Sequence, residues 1–218
     1  MKTLSFDVGI KNLAYCILNN DKTIERWGII NLDESPICQV NLRKPCDKQS
    51  TYQIKDDSVD IEYCCTAHSK KFKKVKKLSS KNDILNVSKM CVEKLRKLKV
   101  DNVECVLIEN QPALKNPIMK SIQMIIYTYF VIEGVMDNNS TIKTIHMVNA
   151  RNKLKVYQGP KVECPFEDNK KNRYKRNKYL SIEYTKNMIQ NENNQLIELF
   201  NHSKKKDDLA DAYLQGIY

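Results

Sequence analysis

The chain opens on Leu4-Ser5-Phe6-Asp7-Val8-Gly9-Ile10, in which apolar Leu4, Phe6 and Val8 alternate with Ser5, Asp7 and Gly9. A period of two marks a β-strand. It places an aspartate inside the strand that leads the fold, where an uncompensated carboxylate is costly to bury. Asp7 must therefore be exposed, paired with a cation or engaged with a metal ion. Capping the turn at Gly9 is the alternative that needs no chemistry. The choice depends on whether other carboxylates occupy similarly awkward places.

Two more strands follow. Asn12 to Leu18 is separated from the first strand by a connection too short for a helical crossover, so the two should form an antiparallel hairpin. After the turn Asn19-Asn20-Asp21, Thr23 to Leu32 reads as the third strand and holds the only tryptophan, Trp27. Further on, Asp83 is placed to cap a helix whose apolar stripe runs through Ile84, Leu85, Val87, Met90, Cys91, Leu95 and Leu98. Val103 to Ile108 is a mostly apolar run suited to a strand covered on both faces. It ends at Glu109-Asn110-Gln111-Pro112, and the proline disfavours helix through Gln111. Glu109 is thus left at the carboxyl end of a core strand, where ligand sites gather in open α/β sheets.

Pro117 opens an almost wholly apolar helix through Val135, expected to pack on the sheet or at a dimer interface. Lys120, Gln123, Thr128 and Glu133 interrupt it as a membrane span. Thr141 to Val148 supplies a further strand, Leu180 to Ile189 an amphipathic helix, and Leu209, Ala212, Tyr213 and Ile217 the packing stripe of a terminal helix. On that last helix Asp208 and Asp211 share a face, with Asp207 a candidate cap. The fold class is α/β: a mixed five-stranded sheet, three antiparallel strands then two parallel, flanked by helices. At 218 residues it is expected as one domain over 1–218 with a small insertion over 36–77.

The insertion differs in composition. From Pro36 to about Lys70 neither period is visible, yet Cys38, Cys46, Cys64, Cys65 and His68 fall there. Two ligand pairs separated by a loop are how small zinc sites are built. Cys38, Cys46, Cys65 and His68 are the expected ligands of one structural zinc ion, with Cys64 the replacement for Cys65 and buried free thiols the alternative. The start leads directly into a strand and leaves no room for a signal peptide, so the eight cysteines are expected to be reduced and the protein intracellular.

The net charge of +11 is concentrated in Lys70 to Lys81 and Lys170 to Lys178. A solubilising surface is the alternative, but clustering favours a polyanionic partner. Lys153, Lys155, Lys170, Lys171, Arg173, Lys175 and Arg176 are the expected nucleic-acid contacts, with Tyr157, Phe166, Tyr174 and Tyr179 interleaved among them for base stacking. Lys205, just before the last acids, is placed to meet a phosphate or simply to solvate a helix entrance.

Four acids on three elements, Asp7, Glu109, Asp208 and Asp211, form a set of hard oxygen donors that suits Mg²⁺ or Mn²⁺. A pair of such ions would serve phosphodiester hydrolysis. The segments Asp7-Val8-Gly9-Ile10-Lys11-Asn12-Leu13-Ala14, Glu109-Asn110-Gln111, Asn152-Lys153-Leu154-Lys155-Val156-Tyr157 and Lys206-Asp207-Asp208-Leu209-Ala210-Asp211-Ala212 resemble the RuvC-type Holliday junction resolvases, in the branch of poxviruses and other large DNA viruses. The resemblance spans the chain apart from about 36–77. It implies an RNase H-like fold and a homodimer that nicks opposed strands of four-way or branched DNA. It also implies two Mg²⁺ (or Mn²⁺) ions held by Asp7, Glu109, Asp208 and Asp211. If the source is viral, it implies work at the viral replication site in host cytoplasm or nucleus. Three rivals stand beside it: a related nuclease of RNA–DNA hybrids or flaps, a non-catalytic zinc-containing DNA-binding protein, and an actin-like ATPase. With only five glycines and no later glycine-rich adenosine loop, the ATPase is disfavoured.

Overall fold

The computed structural model describes every residue except 34–35, 42–43, 57–58, 79–83 and 115. Asp83, the expected helix cap, lies outside the described residues. The chain divides into two compact units, one formed by Met1–Leu32 with Val87–Tyr218 and the other by Asp33–Asn86.

In the first unit, β1 (Thr3–Asp7), β2 (Leu13–Leu18) and β3 (Ile24–Ile30) form the expected antiparallel meander. In the second, β4 (Tyr52–Ile54), β5 (Tyr63–Cys64), the single helical turn α1 (Thr66–Ser69) and β6 (Val75–Lys77) build a small sheet of order β5-β4-β6. This sheet was not legible in the sequence, because strands of two or three residues carry no readable period. The lysine run expected only to lead into a helix supplies the edge strand β6.

The first unit resumes in α2 (Ile84–Lys97), followed by β7 (Cys105–Glu109), α3 (Pro117–Phe130) and β8 (Thr144–Val148). It closes with α4 (Arg173–Met188), α5 (Asn194–His202) and α6 (Lys206–Ile217). The main sheet has the order β3-β2-β1-β7-β8, with β1–β7 and β7–β8 parallel. This is the mixed five-stranded arrangement the sequence predicts.

Strand alternation divides the core. Leu4, Phe6, Val106 and Ile108 join Val87, Cys91 and Leu95 of α2 and Ile122, Ile126 and Phe130 of α3 in one apolar cluster. Ala14, Cys16, Leu18 and Trp27 join Phe200 of α5 and Leu209, Ala212 and Tyr213 of α6 in another. The sheet therefore lies between two helical layers. Trp27 stacks on Phe200 with ring centroids 5.1 Å apart and donates its indole N–H to the Leu209 carbonyl at 3.0 Å. The second cluster thereby fixes α6 against the meander.

Several boundaries reflect local chemistry. Asn116 caps α3 by accepting from the Met119 amide at 3.2 Å, and Pro117 takes the first turn, where its missing N–H costs nothing. The segment Pro117–Val135 is long and apolar enough to cross a membrane by length and composition. Here Ile122, Gln123, Ile126 and Phe130 are buried, and Val131–Val135 continues it as a π-helical turn. In α2 the buried stripe is Val87, Cys91 and Leu95, while Ile84 and Leu85 are exposed. Helix α4 begins seven residues before the expected Leu180, so most of the second basic block is helical. Helix α5 had no counterpart in the sequence reading, although Asn193 caps it and Leu196, Ile197 and Phe200 recur at helical spacing.

The turn after β1 is unusually tight. A Cβ at Gly9 would lie 2.4 Å from the Asn12 carbonyl oxygen, a backbone atom that cannot step aside. Gly9→Ala should therefore destabilise the fold by about 1–3 kcal/mol, read as a lower urea midpoint at unchanged m-value. An unchanged midpoint would show that the hairpin relaxes freely.

Candidate functional site

The alternation that sends Leu4 and Phe6 to one face of β1 sends Ser5 and Asp7 to the other, towards α6. On α6, Asp211 and Gln215 lie one turn apart on the same face. Gln215 is fully buried and donates to Ser5 Oγ at 3.0 Å, to the Phe6 carbonyl at 3.1 Å and to the Leu107 carbonyl at 3.3 Å. It thus bridges β1 and β7 and sets the height of Asp211 above their carboxyl ends. Ala210 and Ala212, both without exposed surface, allow that close approach.

The centre of the site is Lys153, carried on a 3₁₀ turn over Ala150–Val156 whose start is capped by Asn149. Its ammonium lies 2.7 Å from Asp7 Oδ1 and 3.4 Å from both Glu109 Oε1 and Asp211 Oδ2. The side chain is 3% exposed. The other Glu109 oxygen accepts from Gln111 Nε2 at 2.8 Å, and the Gln111 amide donates to Gln123 Oε1 at 2.8 Å. Gln123, fully buried on α3, thereby fixes the loop that aims Glu109. Asp7, Glu109, Asp208 and Asp211 line one cavity of about 410 Å³, together with Lys153, Gln111, Tyr174, Asn177, Lys178 and Asp207.

One buried ammonium does not neutralise three carboxylates. Burial raises the Asp7 carboxyl well above its ordinary range, with Lys153 pulling it back and Glu109 pushing it further up. Asp211 is raised for the same reason, again opposed by Lys153. Burial, reinforced by the charges of Asp207 and Asp7, pushes Asp208 up to about 6. For Lys153, burial works against its charge, but Asp7, Asp211 and Glu109 outweigh burial and hold it protonated. Asp208 Oδ2 is buried with no hydrogen-bond partner among the described residues. A pocket of hard oxygen donors with an excess of negative charge and an unpartnered carboxylate oxygen fits a divalent cation.

The structure thus brings the four predicted acids together. It corrects the expectation for Lys153, which is not a surface contact for nucleic acid: its ammonium is enclosed by the acids. It also corrects Asp207, which does not cap α6. Lys205 holds that position, while Asp207 lies in the first turn and pairs with Lys178. Lys155, Lys170, Lys171, Arg173, Lys175 and Lys205 are exposed. Arg176 is half-buried, 3.7 Å from Asp168. Sequence reasoning missed Lys178, Gln111, Gln123 and Gln215. Lys178 ends the second basic block and Gln111 follows Glu109 by two residues, whereas the two buried glutamines are detectable only as polar residues on apolar helix faces.

In the 33–86 unit, Cys38, Cys46, Cys65 and His68 bring one ligand atom each to within 4.8 Å of one another, the set expected from the sequence. Cys64 is outside this group and fully buried in the apolar cluster of the unit. The choice between the adjacent cysteines therefore falls on Cys65.

A mixed five-stranded sheet, with acids at the ends of two central parallel strands and on a closing helix, defines an RNase H-like fold. The solved yeast mitochondrial Holliday junction resolvase Ydc2 shares it, with a TM-score of 0.53 and 16% identity, covering 99% of this chain and 77% of that one. The fowlpox virus resolvase, solved with a substrate Holliday junction, aligns with a TM-score of 0.49 and 18% identity over 100% of this chain and 95% of that one. By sequence, the chain is 39% identical over 193 residues to the uncharacterised protein L451 of Acanthamoeba polyphaga mimivirus, covering 79% of this chain and 46% of that protein. The chain spans about half the length of this relative. No protein-family profile matches the sequence.

The raised carboxyl pKa values have a measurable sign. The folded pKa of Asp208, about 6, exceeds its ordinary 3.8, so the metal-free fold holds the extra proton. The stability this group contributes is complete below about pH 4 and is lost as pH rises through about 6. A Mg²⁺ ion held by this carboxylate would displace the proton, so the rise in Tm on adding Mg²⁺ should be larger at about pH 7.5 than at about pH 5. Asp208→Asn should flatten that difference. Equal increments at both pH values, measured by calorimetry, would mean that no cation competes for this carboxylate.

Proposed function

We propose that the chain is a Mg²⁺- or Mn²⁺-dependent endonuclease that nicks opposed strands of four-way DNA junctions. The observation that carries this reading is the convergence of Asp7, Glu109, Asp208 and Asp211, from three separate elements, on one cavity. The shared fold with a Holliday junction resolvase supports it. The viral relative fits a role in recombination and the resolution of replicated viral DNA, at the replication site of an infected cell.

The carboxylates of Asp7, Glu109, Asp208 and Asp211 would hold the cations, which when bound would supply Lewis acidity for phosphodiester hydrolysis. Gln111 and Gln123 orient Glu109, and Gln215 orients the face of α6 that carries Asp211. Lys178 and Asp207, paired at the rim, set the charge at the mouth of the cavity. The exposed Lys170, Lys171, Arg173 and Lys175, before and along the start of α4, attract the phosphate backbone in a salt-dependent manner. Opposed nicks on a two-fold junction call for two copies of the chain. The apolar side chains left exposed along and after α3, Met124, Ile132 and Met136, offer surface for that pairing.

The rival nuclease of RNA–DNA hybrids or flaps would use the same acids, and a non-catalytic DNA-binding protein would not need them. Cleavage of a mobile four-way junction, a flap and a hybrid duplex, with strand mapping, separates the three. Paired symmetric nicks confined to the junction are the expected result, and cutting confined to the hybrid would overturn the proposal. Asp7→Asn should lower cleavage by about 10²-fold or more, since cation-borne charge stabilisation contributes several kcal/mol and each 1.4 kcal/mol is tenfold. Junction binding should persist in that variant.

A further inference from the structure

The Cys/His cluster of the 33–86 unit plays no part in the chemistry proposed for the acid pocket. We propose that Cys38, Cys46, Cys65 and His68 hold one structural zinc ion, closed to outside ligands, that organises this unit. The donor set is three soft thiolates and one imidazole, the chemistry of tetrahedral zinc and not of the hard cations that suit the acids. In a tetrahedral site with Zn–S of about 2.3 Å and Zn–N of about 2.0 Å, ligand atoms stand roughly 3.5–3.8 Å apart. The four atoms here lie within 4.8 Å of one another, and Cys38 Sγ is 3.3 Å from His68 Nδ1. A small contraction about an ion completes the tetrahedron.

The backbone accounts for the spacing. Cys38 and Cys46 are far apart in sequence for a ligand pair. Antiparallel bridges at Ile37–Gln49 and Asn41–Pro45 bring the flanks of Cys38 and Cys46 alongside each other, and the Cys38 amide donates to the Lys48 carbonyl at 2.8 Å. The second pair sits on a knuckle, in which Cys65 immediately precedes the single turn α1 that carries His68. Cys64, one residue away, lies outside the ligand group and packs with Val40 and Ile54. One neighbour thus sits among the ligand atoms and the other in the apolar cluster.

The unit also needs a staple. Among the described residues its buried apolar cluster is Cys38, Val40, Ile54, Cys64 and Cys65, two of them proposed ligands, with Cys46, Tyr52, Val59, Ile61, Phe72 and Val75 partly buried against it. Its strands are two or three residues long. Cores this small seldom fold without a metal or a disulfide. All the cysteines are free thiols. With four protein ligands, no position remains for substrate or water, which separates a structural from a catalytic zinc site.

The test uses the full chain. Metal analysis of the purified protein should give one zinc per chain. Replacement with Co²⁺ should produce intense tetrahedral d–d bands with thiolate charge transfer. Cys46→Ser and His68→Ala should reduce zinc content and shift the cobalt spectrum, whereas Cys64→Ala should leave both unchanged. Stripping zinc should accelerate tryptic cutting within Lys70–Lys77, because β6 is held through β4 and β5 to the knuckle. The wild-type cobalt titration stands even where a variant fails to fold. Absence of the cobalt bands, retention of zinc by both ligand variants, loss of zinc from soluble, folded Cys64→Ala, or tryptic rates unchanged by zinc removal would overturn the proposal.

Discussion

The constraint on which the rest of the first unit depends is the concentration of buried negative charge at the carboxyl ends of β1 and β7. Asp7, Glu109 and Asp211 are drawn together around the Lys153 ammonium, with contacts of 2.7 to 3.4 Å. Removing one partner from such a cluster leaves uncompensated charge in a poorly solvated place. The surrounding polar groups form the framework that makes the arrangement tolerable. Gln111 satisfies the second oxygen of Glu109, Gln123 satisfies the loop, and Gln215 ties α6 to both strands. Gln123 and Gln215 are buried, and their hydrogen bonds hold the loop and the helix that carry the carboxylates.

Helix α6 connects packing to chemistry. Its apolar face, through Leu209, Ala212 and Tyr213, belongs to the cluster that includes Trp27 and Phe200. Its polar face carries Asp208 and Asp211 into the cavity. A single helix is thus positioned by the aromatic core on one side and presents carboxylates on the other. The indole N–H of Trp27 reaches the Leu209 carbonyl, between the two aspartates in sequence, so a residue of β3 bears directly on their placement.

Much of this was legible in the chain. Asp7 stood out because a charged residue breaks a strand pattern. Glu109 stood out because a buried strand stops there at a proline-terminated turn. Asp208 and Asp211 stood out because like charges share a helix face. The grouping of Cys38, Cys46, Cys65 and His68 was legible because soft donors crowd a segment with neither helical nor strand period. The role of Lys153 was not legible, since a lysine within a basic segment looks like a surface group until three acids from distant parts of the chain surround it. Helix α5 and the first two turns of α4 were hidden by asparagine and lysine, which dilute the apolar signal without preventing helix. The miniature sheet of the 33–86 unit was hidden because its register is set by neighbouring strands and not by its own sequence.

The way the 33–86 unit is attached has an evolutionary consequence. The chain leaves the first unit at Leu32 and re-enters it at Val87, and both residues are anchored in the same apolar cluster. The entropy of closing such an excursion grows only with the logarithm of its length. Changes in the length of this module therefore carry little thermodynamic penalty for the first unit. Selection on what the module contacts can then proceed almost independently of selection on the acid pocket.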